Sequence, residues 1–162
     1  MDGISKVPPI LSLDISGVVS STFGKFERSR DKSSDLVFND LNQLLLGRRT
    51  STHGKGEFGP PGGHLEFGES FEDCAVREVR EEVGFDIREP KFLSLTNDIF
   101  IESSKHYVSI FMCASFEEGQ EIINREPEKV SDWGWYDLND LPMPLFLPLN
   151  TLVSRGGLDV FK

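Results

Sequence analysis

The chain has 162 residues, of which 38% are hydrophobic and 27% charged, and its 17 Lys+Arg against 27 Asp+Glu give a net charge of −10. These values suit one globular domain over 1–162 and exclude collagen-like, low-complexity and disulfide-scaffold chains. The negative field repels a phosphate polymer, so nucleic acid is not an expected partner. A small phosphorylated substrate remains compatible, provided a bound divalent cation inverts the charge locally.

Cys74 and Cys113 are the two cysteines. They give no disulfide framework and no metal-ligand spacing, and fit small hydrophobes in a reducing compartment. The N-terminal stretch lacks a basic start and is broken by Pro8 and Pro9, unlike a signal peptide. No apolar run reaches the length of a membrane span. The expected location is cytoplasmic, with a nuclear one as the alternative, and no membrane partner is expected.

In chain order, residues 10–19 alternate partially and predict a strand. Residues 20–41 are polar, with Lys25, Arg28, Arg30 and Lys32, and predict a loop insertion, either a solvated excursion or a cover for substrate. Leu44–Leu46, followed by Gly47, Arg48 and Arg49, predicts a buried strand. His53 sits in the next loop. Gly59, Pro60, Pro61, Gly62 and Gly63 form a strong breaker cluster, after which His64–Phe67 predicts a short strand. Ser70, with Asp73 three residues on, caps a helix that runs to Val83 and stops at Gly84. Residues 92–101 and 107–116 predict a hairpin turning near 102–105. Trp133–Tyr136 predicts a strand, and Leu145–Val153 a closing helix. The alternation of elements is that of a mixed α/β domain.

The acidic helix carries the chemistry. Between Glu66 and Glu82 lie seven acids (Glu66, Glu69, Glu72, Asp73, Glu78, Glu81, Glu82) and two bases, Arg77 and Arg80. At about 100° per residue, Val76, Val79 and Val83 share a core-facing side, while Glu78 and Glu82 sit about 40° apart on another. Two such carboxylates repel, and burial raises the cost. Hard oxygen ligands without Cys or His favour Mg²⁺ or Mn²⁺. Gly62 and Gly63 let the backbone approach a ligand closely, and a bare carbonyl there can ligate a hard cation. The alternative is a solvated acidic face with ordinary helix ion pairs.

Gly63, five residues, Glu69, seven residues and then Arg77–Glu78–Val79–Arg80–Glu81–Glu82–Val83–Gly84–Phe85 matches the Nudix box in full. Residues 63–85 therefore resemble the Nudix hydrolase superfamily. The run from Pro61 to Glu69, together with His106–Tyr107–Val108, Glu126–Pro127–Glu128–Lys129 and Trp133–Gly134–Trp135, resembles the MutT-like nucleotide diphosphatases of eukaryotes. The likeness spans roughly residues 10–155.

The resemblance implies an α/β/α sandwich with a mixed sheet and a loop–helix–loop catalytic motif. It also implies Mg²⁺- or Mn²⁺-dependent hydrolysis of a nucleoside diphosphate linked to another group. Nucleoside triphosphates, oxidised ones such as 8-oxo-dGTP included, would give monophosphate and pyrophosphate. NADH, ADP-ribose or another small diphosphate is the alternative, and a non-catalytic nucleotide sensor a second. Glu78 and Glu82 match the principal metal ligands, Glu81 a further ligand or the general base, and the Gly62 carbonyl a backbone ligand. Arg77 matches an arginine paired with Glu69 as structural support. Gly63, His64, Phe146 and Leu149 match substrate-binding positions. Glu117, Glu118, Glu121 and Glu128 are candidates for a later acidic ligand. Relatives are often homodimers, and the edge of the 92–116 region could serve one.

Overall fold

The computed structural model describes residues 32–161. Its strands are β1 (Lys32–Phe38), β2 (Leu44–Arg49), β3 (Phe58–Gly59), β4 (Lys91–Phe100), β5 (Lys105–Ser115) and β6 (Val130–Tyr136). Helix α1 (Phe71–Val83) follows β3 and helix α2 (Leu147–Ser154) follows β6, before a 3-10 turn at Asp159–Phe161. The strands form a mixed sheet in the order β3-β2-β1-β5-β4, with β6 also on β2. β1 and β5 run parallel, and the other pairs antiparallel.

Alternation along each strand sends side chains to two cores. Val37, Leu45, Ile110 and Met112 join Ala75, Val79 and Val83 of α1. Leu36, Leu44, Leu46 and Phe111 join Leu149 and Leu152 of α2. The sheet is thus sandwiched between the helices, the α/β/α arrangement that the family resemblance implies.

Two expectations are corrected by the fold. The C-terminal part of the stretch 20–41 is not a loop: Lys32–Phe38 is β1, in the middle of the sheet. Ser33, Ser34 and Asp35 make it look polar, yet all three are buried. The rest of the stretch, 20–31, lies outside the described residues, as does the strand expected at 10–19. The strand expected at His64–Phe67 is also absent; His64 makes only an isolated bridge, and the short strand β3 lies earlier, entering the breaker cluster at Gly59. Pro60 and Pro61 lack the N–H groups that would continue a ladder.

The sheet splits where the site forms. β1 and β2 share a single register pair, Phe38↔Leu44, and beyond it β2 pairs with β3 instead. The edge of β1 freed in this way is filled by the glycine turn: the Ser33 N–H donates to Gly63 O and the Asp35 N–H to Pro61 O, each at 2.8 Å. The turn is thereby fastened to the centre of the sheet, beside α1.

Candidate active site

Capping sets the phase of α1. Ser70 Oγ accepts from the Asp73 N–H at 3.0 Å, and Gly84 closes the helix in the left-handed conformation with its N–H on Arg80 O. A cap of this kind contributes about 1 kcal/mol. With Val79 and Val83 fully buried, Glu78 and Glu82 fall on the border of the helix facing the glycine turn, only 9% and 8% exposed.

The turn fits these acids because it lacks side chains. Gly62 has φ 150°, and a Cβ there would meet Ser33 O at 2.1 Å. A Cβ at Gly63 would lie 2.2 Å from Glu78 Oε1. The Gly62 N–H donates to Glu82 Oε2 at 3.1 Å. Pro61 and Gly63 turn their carbonyls to β1, whereas no hydrogen bond among the described residues engages the Gly62 carbonyl.

Arg77 ties the loop to the helix. Its Nε and Nη2 fork onto the two oxygens of Glu69 at 2.8 and 2.9 Å, and Nη2 also donates to the His64 carbonyl at 3.0 Å. Its Nη1 donates to Glu78 Oε1 at 2.6 Å and to Glu81 Oε2 at 3.3 Å. A planar guanidinium holds all of these at once, which a lysine ammonium does not.

The acids are raised by burial. Burial lifts the Glu82 carboxyl to about 8, against the Gly62 hydrogen bond, with Glu78 and Glu126 adding repulsion. Burial also raises Glu78, opposed by Arg77. Asp35, 1% exposed on β1, is raised well above the ordinary carboxylate range, chiefly by burial and further by Glu78 and Glu82. Its Oδ1 has no hydrogen-bond partner. A cluster of buried carboxyls that resist ionisation is a site whose charge a cation relieves.

Among the described residues no three His, Cys, Asp or Glu side chains converge as a ready-made cage. Arg77 draws Glu78 and Glu81 toward itself, while Glu82 turns to the Gly62 N–H. Glu78 Oε2 and Glu82 Oε1 are engaged by no hydrogen bond among the described residues. With the Gly62 carbonyl they make an all-oxygen donor set that fits a hard divalent cation.

Of the later acids, Glu117 pairs with Arg88 at 3.2 Å, and Glu118, Glu121 and Glu128 are exposed. The acid that acts on Glu82 is Glu126, held by Lys129 at 2.7 Å. The Arg125 N–H donates to Glu82 O at 3.0 Å and so brings this loop to the end of α1. Nothing local in the sequence distinguishes Glu126 from its neighbours; the long-range clasp selects it.

An aromatic cluster borders the acids. Phe146, at the start of α2, lies 5.6 Å from the Phe100 ring and 5.9 Å from the His53 ring, and the Arg49 guanidinium covers it at 4.2 Å. Tyr107 joins through Phe100 at 5.6 Å, and His64 reaches Tyr107 at 6.2 Å. Leu149 is fully buried in the core beneath α2. Arg49 and His53 carry no sequence signal of a site; the strand β2 and its following loop deliver them. Arg49 also shares a cavity of about 200 Å³ with Arg48, Thr50, Lys55, Gly56 and Ser131, a basic opening in an acidic protein.

Residues 32–153 match the model of the NUDIX domain. The chain is 33% identical over 138 residues to the NAD-capped RNA hydrolase NudC of Pseudomonas aeruginosa, covering 85% of this chain and 46% of that protein. It is 31% identical over 120 residues to the same enzyme of Stutzerimonas stutzeri, covering 74% of this chain and 40% of that protein. The chain thus spans less than half the length of these curated relatives. The crystal structure of a MutT NUDIX hydrolase from Burkholderia pseudomallei superposes with a TM-score of 0.69 at 28% identity, covering 80% of this chain and 95% of that one.

Proposed function

The chain belongs to the Nudix family, and from that premise we propose that it is a divalent-metal-dependent pyrophosphohydrolase of small nucleotides. Its substrate is a nucleoside diphosphate linked to another group, foremost a nucleoside triphosphate, oxidised ones such as 8-oxo-dGTP included. The observation that carries this reading is the buried pair Glu78 and Glu82 against a side-chain-free glycine turn.

Glu78, Glu82 and the Gly62 carbonyl would hold the cation, with Glu81 as a further ligand or the base. A bound Mg²⁺ or Mn²⁺ supplies charge neutralisation of the diphosphate and a polarised water. In the role of base, Glu81, on the exposed side of α1, would take the proton from the attacking water at its carboxylate. One water O–P bond forms and one bridging P–O bond breaks, leaving monophosphate and pyrophosphate. Arg77 keeps Glu78 and Glu81 in place through its anchor on Glu69. Gly63 and His64 would border the phosphates, and Phe146, buried beneath the Arg49 guanidinium, would form the floor of the base site.

A second reading, hydrolysis of NADH, ADP-ribose or a similar dinucleotide diphosphate, draws on the two NAD-capped RNA hydrolases at 31 and 33% identity. The net charge of −10 weighs against the RNA itself as partner. Two free cysteines suit a cytoplasmic setting, and no helix among the described residues is long and apolar enough to cross a membrane. Phe92, Leu95, Ile99 and Ile101, exposed on or beside the edge strand β4, support pairing of two copies.

The test is a Mg²⁺-dependent hydrolysis screen over dNTPs, oxidised dNTPs, NADH and ADP-ribose, with Glu82→Gln as control. Pyrophosphate from triphosphates, lowered by orders of magnitude in the variant, is the expected result. Turnover confined to dinucleotides favours the second reading. Tight nucleotide binding with no turnover of any substrate overturns both in favour of a sensor.

A further inference from the structure

We infer that Asp98 is a specificity-determining residue, which reads an N–H donor on the heterocycle of the bound nucleotide. This deepens the nucleotide-hydrolase reading and rests on it for the substrate class.

Asp98 lies on β4 and is 1% exposed. Two hydroxyls, Thr96 Oγ1 at 2.6 Å and Ser109 Oγ at 3.0 Å, donate into the same oxygen, Oδ2. Both of these residues are fully buried. The carboxylate is therefore fixed in orientation, with one oxygen satisfied twice. Its other oxygen, Oδ1, is buried and has no hydrogen-bond partner. A native fold rarely leaves a buried carboxylate oxygen unmatched, and a ligand donor is one of the few explanations open to it.

The surroundings say what kind of ligand. Thr96, Asp98 and Phe100 alternate onto one face of β4, and Asp98 pairs across the ladder with Tyr107. Phe100 and Tyr107 belong to the aromatic cluster that includes His53 and Phe146. Helix α2, which carries Phe146 at its start, packs over β4 on this side. A fixed acceptor next to stacking rings recognises a flat heterocycle bearing an N–H or amino group. With Oδ2 taking both hydroxyl donors, Oδ1 is left as an acceptor, so a base that presents only acceptors at that point is disfavoured. Sites built around a buried polar group discriminate strongly, because the wrong ligand leaves the group unpaired.

The test measures binding rather than turnover. Calorimetry on the full chain compares dGMP, which carries adjacent ring N–H and amino donors, with the deoxynucleotide of unsubstituted purine, which carries neither. The wild type is expected to prefer dGMP by roughly 10- to 100-fold. In Asp98→Ala and in the equally sized Asp98→Asn the preference is expected to shrink to within about 3-fold. Asp98→Asn keeps the assay decisive if the alanine variant fails to fold. A wild type without preference, or variants that keep it in full, overturns the inference. Selective binding that depends on Asp98 in a chain that hydrolyses no triphosphate leaves the inference standing and removes the hydrolase reading instead.

Discussion

Gly63 and Glu78 occupy one another's space: a single methyl group on Gly63 would sit 2.2 Å from the Glu78 carboxylate oxygen. The glycine is thus part of the acid's environment, and its absent side chain is what lets the acid lie against the turn. Gly63→Ala is expected to push Glu78 off the turn and lower kcat by 10-fold or more, with Tm changed by only a few degrees. Steady-state kinetics beside a thermal melt checks this. Unchanged kcat would show that Glu78 reaches its position another way.

Without metal, stability is expected to fall as pH rises. Burial lifts the Glu82 carboxyl from the ordinary 4.5 to about 8, so in that window the folded chain holds a proton that the unfolded chain has released. The unfolded state then binds fewer protons, and stability drops with pH until it levels off above the folded value. The loss is on the order of a few kcal/mol, with Glu78 and Asp35, also raised by burial, acting in the same direction. Urea unfolding in chelator at pH 5, 7 and 9 measures it, and Glu82→Gln should flatten the trend. Added Mg²⁺ should stabilise more at pH 9 than at pH 5, since cation and proton compete for the same oxygens.

Arg77→Lys is expected to fail as a conservative change. Arg77 serves Glu69, Glu78, Glu81 and the His64 carbonyl together, and a lysine retains the charge without the fork. A loss of about 1–3 kcal/mol in stability and a clear fall in kcat are expected for Lys and Ala alike. Full rescue by Lys, read from melts and kinetics, would reduce the role of Arg77 to simple charge.

Self-association is expected to depend on β4. Leu95 and Ile99 are 50% and 59% exposed on an edge strand, where unpaired backbone groups and apolar side chains invite a second copy. The mass from light scattering should be that of a dimer for the wild type and of a monomer for Leu95→Lys/Ile99→Lys. A monomeric wild type disposes of the idea.

Much of the helix was legible from local letters. Ser70, Asp73 and Gly84 set its ends, and the period of Val79 and Val83 set its inward face, so the side carrying Glu78 and Glu82 followed. The hairpin of β4 and β5 was readable for the same reason: β-branched and aromatic runs flank a polar turn. β1 was not. Its buried Ser33, Ser34 and Asp35 read as loop because their partners lie far along the chain, in β5 and in the turn at Pro61 and Gly63.

The sequence by itself determined the chemistry available: a carboxylate-bearing helix, correctly capped, after a glycine turn. Those are short-range facts, fixed by spacing and backbone freedom. Tertiary structure decided which groups join them. The split between β1 and β2 admits the glycine turn to the sheet and seats Asp35 beneath the glutamates. The clasp at Arg125 chooses Glu126 from several acids, and strand pairing sets Asp98 beside Tyr107 and the aromatic rings. Burial and hydrogen bonding between distant segments depend on the whole fold, and no local pattern encodes them.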